Sequence, residues 1–226
     1  MLSIIIPAYN EENRIKPTLQ AYLDFFKDKD IELIVVMNGC NDNTLDVVQS
    51  IKDQRIKYLN LKESGKGNAV VQGFKIASGD LISYVDADNS TKPEFLNKLL
   101  ENMENYDCVM GSRYLPESVI LTKQPLTRIT LSRGFNLLVR LILNLQYTDT
   151  QAGAKIFKKQ AIKSILSDFK VPGWGFDVNV LHKIRKKGYT IKEIPIEWSD
   201  TKGSKLKLRK AIPGMFLSIL KTRFGK

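Results

Sequence analysis

Residues 31–37 read Ile-Glu-Leu-Ile-Val-Val-Met, an apolar run of strand length broken by a single charge. Such a run, without period-2 alternation, suits a strand covered on both faces, and strands of that kind belong to parallel sheets flanked by helices. The neighbouring segments agree. Residues 3–8, 56–61, 81–85 and 108–111 are further short apolar strands. Between them lie helical patterns over 12–27, 66–77 and 94–105, with another carrying Leu45, Val48 and Ile51 behind capping residues 41–44. Ile15, Leu19, Tyr22, Leu23 and Phe26 share one face of the first helix. Ala69, Val70, Gly73, Phe74 and Ala77 form a small-residue packing face, and Pro93 suits a first helical turn. Strand alternating with helix predicts an α/β fold built on a doubly wound, mostly parallel sheet.

The later half is less regular. The pattern predicts a loop over 114–125, a long helix over 126–146, a strand over 154–158 and a helix over 176–187. In 191–198, Ile194, Ile196 and Trp198 alternate onto one face, and Pro195 within that run marks an edge strand. No internal repeat or low-complexity linker divides the chain. It reads as one domain over 1–200 followed by a basic tail over 201–226.

That tail concentrates the net charge of +11, since no acidic residue follows Asp200. Leu208, Ile212, Met215, Phe216, Ile219 and Leu220 recur in it at helical spacing among lysines and arginines, and Pro213 places the start of the regular helix near itself. A basic amphipathic helix too short and too charged to span a bilayer fits the membrane interface. The alternative is a terminal helix docked on the domain. Stacking aromatics are too few, Phe216 and Phe224 only, for a nucleic-acid surface. The apolar opening lacks a positive flank and reads as a strand rather than a signal peptide. Two cysteines, Cys40 and Cys108, give no disulfide framework, and one histidine, His182, excludes a His-rich metal centre. These features predict a cytoplasmic protein held peripherally on the membrane's cytoplasmic face.

The chemistry is concentrated at residues 80–90, Asp-Leu-Ile-Ser-Tyr-Val-Asp-Ala-Asp-Asn-Ser. Strand alternation would place Asp86 and Asp88 on one side at the strand's carboxyl end, where open α/β sheets bind ligands. Two adjacent carboxylates call for a cation, and a hard divalent ion shared with substrate phosphates answers best. A P-loop is absent, because Gly65-Lys66-Gly67 lacks the earlier glycine and the following Ser or Thr. A dinucleotide glycine fingerprint is absent as well. The first strand instead ends in Pro7-Ala8-Tyr9-Asn10-Glu11-Glu12, which can offer backbone groups, Tyr9 and an acid to a base and ribose. Arg128, Ser132 and Asn136 make one polar stripe on the long helix, with Leu131, Leu138, Ile142 and Leu145 on an apolar face elsewhere.

I-I-I-P-A-Y-N-E-E at 4–12, G-K-G-N-A at 65–69, V-D-A-D at 85–88 and G-S-R-Y at 111–114 resemble the inverting family-2 glycosyltransferases of GT-A fold. D-T-Q-A-G-A-K-I-F at 149–157, W-G-F-D-V at 174–178 and E-I-P-I-E-W at 193–198 are similar to the polyprenyl-phosphate (dolichyl-phosphate) glucosyl- and mannosyltransferases, leaning to the glucosyl branch. The resemblance implies a GT-A fold and transfer of a hexose from a nucleoside-diphosphate sugar to a polyprenyl phosphate, with Mg²⁺ or Mn²⁺ as cofactor. It assigns Asp86 and Asp88 to the metal and diphosphate, and Pro7, Tyr9, Asn10 and Glu11 to the base and ribose. Lys66 would meet the diphosphate and Gln151 the sugar or its loop. Arg113, Arg128 and Ser132 would hold the acceptor's phosphate. Asp177, then Asp149, would be the base or acceptor-side acid.

Two departures bear on specificity. The family's V-D-D-G-S-x-D-x-T is here V-M-N-G-C-N-D-N-T at 36–44, which leaves Asn38 to pair with the base and keeps both UDP and GDP open. Ser90 stands where the mannosyl branch often has a glutamine. UDP-glucose is the first expectation and GDP-mannose the second. A soluble or cell-surface glycan acceptor, and a non-catalytic sugar-nucleotide binder, are the alternatives.

Overall fold

The computed structural model describes residues 1–122, 125–169, 175–199 and 208–224, and only the backbone of 208–213 and 215. The first half runs β1 (Leu2–Ala8), α1 (Ile15–Phe25), β2 (Ile31–Asn38), α2 (Thr44–Ser50), β3 (Ile56–Leu61) and α3 (Lys66–Ile76). It continues through β4 (Leu81–Tyr84), α4 (Pro93–Glu101) and β5 (Cys108–Ser112). The second half holds β6 (Val119–Thr122), α5 (Leu126–Leu143), β7 (Lys155–Lys158), α6 (Lys159–Leu166) and α7 (Phe176–Lys186). It closes with β8 (Ile191–Pro195), β9 (Glu197–Ser199) and α8 (Leu208–Phe224).

Among the described residues, seven strands form one sheet in the order β3-β2-β1-β4-β7-β5-β8. All neighbours are parallel except β7, which runs antiparallel to both β4 and β5. The doubly wound, mostly parallel sheet is therefore present. Strand alternation divides the core: Ile5, Ile34 and Val36 pack with Ala69, Val70 and Phe74 of α3, while Ile4, Ile6, Leu33 and Val35 pack with Ile15, Leu19 and Tyr22 of α1. Each such buried side chain contributes about 1.5–3 kcal/mol. The small-residue face of α3 has a steric reason, since a Cβ at Gly73 would come within 2.5 Å of Ile5 Cγ2.

Pro7 lies buried inside β1, a central strand, where proline normally costs a ladder bond. Val85 N–H donates to the Ile5 carbonyl, so odd-numbered residues of β1 face β4. Pro7 thus lacks its N–H on a side where β4 has already ended at Tyr84.

Several expectations need correction. A strand, β6, lies inside the segment read as a loop, and it pairs in parallel with β9. Helix α6 was not anticipated. The helix expected over 94–105 stops at Glu101, and the one expected to reach residue 146 ends at Leu143, where Asn144 turns left-handed at φ 53°. Residues 191–198 are two strands: Pro195 ends β8 at the sheet edge, as its edge reading requires, and the chain then moves to β9. Pro213 does not start the tail helix, because α8 begins at Leu208 and runs through it. As the sixth residue of α8, Pro213 cannot donate the N–H that would reach the Arg209 carbonyl, and the helix forgoes that one bond. The α8 helix docks on α5 and α7 with Ser218 and Ile219 buried, and Asn179 donates to Thr222 at 3.0 Å. The segment over 200–207, with Lys202, Lys205 and Lys207, lies outside the described residues, as does Trp174. No described helix is long and apolar enough to cross a membrane.

Candidate active site

The site forms where β1, β2 and β4 end together. After β1 the backbone turns through Asn10 at φ 54°, a left-handed conformation that asparagine tolerates better than most residues. Residues 40–44 pin this turn. Asn41 N–H donates to Asn10 at 2.8 Å, Glu11 N–H to the Thr44 hydroxyl at 2.7 Å, and Glu12 N–H to Asp42 at 3.2 Å. Asp42 also accepts from Thr44 N–H at the start of α2, whose N-cap Asn43 makes no side-chain cap bond, so of the expected capping residues Asp42 and Thr44 also brace the opposite turn. Tyr9 projects from it, 40% exposed. Glu11 is held by Arg14 at 2.7 and 2.8 Å, and Arg14 lies 3.9 Å from Asp88.

Asn38 is placed differently from the expectation of base pairing. Its amide nitrogen donates to the Ala8 carbonyl at 2.9 Å and its oxygen accepts from Gly65 N–H at 3.1 Å. Buried and bonded at both ends, it fastens the β1 terminus to the start of α3. Gly65 there has φ 143°, which a side chain would strain. Pro7 is likewise buried in its strand rather than facing the cleft.

The twin carboxylates stand on a turn after β4, not on the strand itself, because the ladder ends at Tyr84. Asp86 is paired directly with a lysine, whose charge Asp88 also favours from further away. Lys66 Nζ sits 2.5 Å from Asp86 Oδ1, and although burial works to discharge that ammonium, Asp86, Asp177 and Asp88 together hold it charged. Asp86 is 34% exposed and Asp88 22%, so the pair opens to solvent. A divalent cation fits this donor set. Asp86 turns a hard oxygen to a place already taken by an ammonium, Asp88 stands two residues on, and among the described residues the Asn89 side-chain oxygen is buried without a partner. Gly153 leaves the needed space: a Cβ there would overlap the Asp86 carboxylate. Among the described residues no three acidic, His or Cys side chains gather to hold a metal unaided, so substrate oxygens would complete its shell.

The acceptor-side candidates are more altered. Arg113 does not present its guanidinium to the open cleft. Its Nε and Nη2 bind Asp149 at 2.7 and 3.0 Å, and its N–H reaches the same carboxylate at 3.1 Å. Asp149, the second candidate base, is thereby spent on a buried fork. The loop carrying it is clamped from two sides. Glu193 of β8 accepts from the N–H groups of Thr148 and Asp149 at 2.8 Å, and Asn136 donates to the carbonyls of Tyr147 and Thr148 at 2.8 and 2.9 Å. The polar stripe of α5 therefore turns inward at Asn136, while Leu131 and Leu138, expected on a packing face, are exposed. Val139 and Leu143 pack instead. Ser132 meets the Tyr114 hydroxyl at 3.4 Å, and Arg128 is half-buried one turn earlier. Gln151, also half-buried, lies two residues before Gly153.

Asp177 opens α7 and is buried against Lys155, whose Nζ lies 2.7 Å away, and against the Tyr84 hydroxyl. Burial pushes its carboxyl up, but Lys155, Lys66 and the hydrogen bond from Tyr84 hold it below the usual carboxylate range. Lys66, Asp86, Asp88 and Asp177 thus form one charged cluster, and Arg113 with Asp149 forms another that feels Asp86. In the sequence Lys155, Tyr84 and Glu193 were given no site role, and Asn136 was named only as part of the polar stripe. Lys155 left a signal, a charge among Ala154, Ile156 and Phe157 in a strand.

A parallel sheet with one reversed strand and paired carboxylates at its carboxyl edge defines a GT-A-like sugar-nucleotide fold. The chain belongs to glycosyl transferase family 2, whose profile matches residues 3–166. It is 31% identical to the dolichyl-phosphate beta-glucosyltransferase of Dictyostelium discoideum over 99% of this chain and 74% of that protein. The human dolichyl-phosphate beta-glucosyltransferase is 31% identical over 91% and 69%. Glycosyltransferase AglD of Haloferax volcanii is 32% identical over 98% of this chain, which spans only 36% of AglD. The fold matches glucosyl-3-phosphoglycerate synthase from Mycobacterium tuberculosis in complex with Mn²⁺, UDP and glucosyl-3-phosphoglycerate, with a TM-score of 0.75 and 18% identity over 99% of this chain and 80% of that one.

Proposed function

We propose that this glycosyltransferase moves a hexose, glucose from UDP-glucose before mannose from GDP-mannose, onto a polyprenyl (dolichyl) phosphate with inversion. The observation that carries the choice of acceptor is that both candidate bases are already committed, Asp149 to Arg113 and Asp177 to Lys155 and Tyr84. An alcohol acceptor needs a base to take its proton. A phosphate monoester is largely dianionic at neutral pH and needs none. Relatives named dolichyl-phosphate beta-glucosyltransferase support the same acceptor.

Asp86 and Asp88 would hold Mg²⁺ or Mn²⁺, which supplies a Lewis acid for the departing diphosphate. Lys66 leaves Asp86 to meet a diphosphate oxygen, and the turn at Tyr9, Asn10 and Glu11 borders the base and ribose. Arg128 and Ser132 hold the acceptor phosphate, and Arg113, forked to Asp149, adds its charge to that side of the site. Leu137 and Leu141 of α5 and Phe216, Leu217 and Phe224 of α8 are exposed, next to Lys221 and Arg223. That surface supports peripheral attachment to the cytoplasmic face of a membrane.

The test supplies radiolabelled UDP-glucose or GDP-mannose with polyprenyl phosphate in anionic vesicles, with Mn²⁺ or with EDTA. Chloroform-extractable label from UDP-glucose, abolished by EDTA, is expected. Label confined to a water-phase glycan, or donor binding without transfer or hydrolysis under any metal, overturns the proposal.

A further inference from the structure

One buried cluster lies behind the site. The Lys155 side chain has no exposed surface. Its ammonium donates to Asp177 Oδ1 and to the Ala152 carbonyl, both at 2.7 Å, and lies 5.3 Å from the centre of the Tyr84 ring. The Tyr84 hydroxyl donates to the same Asp177 oxygen. Lys155 and Tyr84 are directly opposed on antiparallel β7 and β4, so their side chains leave the sheet on one face. A buried ion pair contributes little net stability over an apolar pair, yet losing one partner is costly because the other charge is left stranded.

Each member of the cluster leads to Asp86. Tyr84 stands two residues before it. Ala152 precedes Gly153, which lies against the Asp86 carboxylate. Asp177 adds its field to Lys66, the group paired with Asp86. Three chain segments, β4, β7 and α7, are thus locked together behind a single half-exposed carboxylate.

We propose that Lys155 and Asp177 are a positioning pair, which fixes the Asp86 turn and Lys66 for the donor's diphosphate, and that Asp177 takes no proton from the acceptor. The activity arm of its test rests on the function proposed above; a second arm does not. The variants are Lys155→Met, Asp177→Asn and the two combined. Each single change strands one buried charge, whereas the double change removes both.

Hydrogen exchange of the amides over 84–90 is measured in the unliganded variants, together with thermal unfolding and kcat/KM for the donor. Each single variant should speed exchange over 84–90 about tenfold and lower kcat/KM roughly a hundredfold, the scale of a 1 Å misplacement. The double variant should return exchange to within about twofold of wild type and kcat/KM to within about tenfold. A double variant with native exchange and the full catalytic loss of Asp177→Asn would make Asp177 the proton acceptor and overturn the proposal. Single variants that unfold at lower temperature while keeping native exchange and native kcat/KM would make the pair an ordinary core contact, which also overturns it. Should a single variant fail to fold, the double variant decides by the same two readouts. Should wild type transfer no hexose, the functional reading fails, and exchange alone decides the positioning role.

Discussion

The two ends of the central sheet carry similar chemistry put to opposite uses. At the amino-terminal end Glu32 is buried, its side chain 5% exposed, and takes hydrogen bonds from Ser3 at 2.5 Å and Ser78 N–H at 2.6 Å, with Lys57 at 2.7 Å. At the carboxyl end Asp86 also pairs with a lysine at 2.5 Å but stays one-third exposed, with Asp88 beside it. One carboxylate is sealed by backbone and side chain from three segments, and the other keeps an open side. The difference is access, since a buried acid held by an ion pair on one oxygen and two hydrogen bonds on the other stabilises a fold while a half-exposed one can exchange its lysine for a ligand.

The contrast is broken most severely by Asp88→Ala. Transfer should fall at least about a thousandfold, with the thermal midpoint unchanged, in the extractable-label assay. Wild-type activity in that variant would remove the carboxyl end's claim to the chemistry. Lys66→Met comes next. Calorimetry with UDP and Mn²⁺ should show affinity weakened roughly 10- to 100-fold, the worth of a charge-assisted bond to an oxyanion. Unchanged affinity would confine Lys66 to the free state.

Glu32→Gln tests the sealed end. Stability should drop by about 1–3 kcal/mol in urea unfolding, with kcat unaltered. The pH dependence has a definite sign. Burial pushes the Glu32 carboxyl up, but Lys57, Ser3 and Ser78 outweigh it and hold it below its ordinary value of 4.5. Its contribution is therefore complete above that value and is lost as pH falls through the lower folded one. The gap between wild type and Glu32→Gln should accordingly close in acid; a gap that widens there would contradict the pairing. The smallest effect concerns the outward leucines. Leu141→Ser should reduce flotation with anionic vesicles about fivefold, for roughly 1 kcal/mol of lost apolar burial. No change would take α5 out of the membrane contact.

Legibility followed the range of the interactions involved. The run over 31–37 and its neighbours disclosed the parallel sheet because burial on both faces writes itself into consecutive residues. The D-x-D at 86–88 was visible for the same local reason, although a turn rather than strand alternation brings it to the cleft. Arg113 and Asp149 are 36 residues apart, and neither motif records that one neutralises the other. Lys155 and Asp177 lie on different elements, so their pairing depends on how α7 crosses the sheet. Strand β6 is four residues long with Val119 and Leu121 exposed, and only its remote partner β9 makes it a strand. Pro213 misplaced the start of α8 because the helix runs through it at the sixth residue, forgoing one backbone hydrogen bond rather than beginning there.

The reversed course of β7 has a consequence for how the enzyme can be altered. Because that strand enters the sheet on the rim where β4 and β5 leave it, the segment over 145–154 supplies both the neighbour of Asp86 and the partner of Arg113. A graft there would therefore act on the Asp86 carboxylate and the Arg113 fork in one stroke, while the turn after β1 and its braces at 40–44 kept their own contacts.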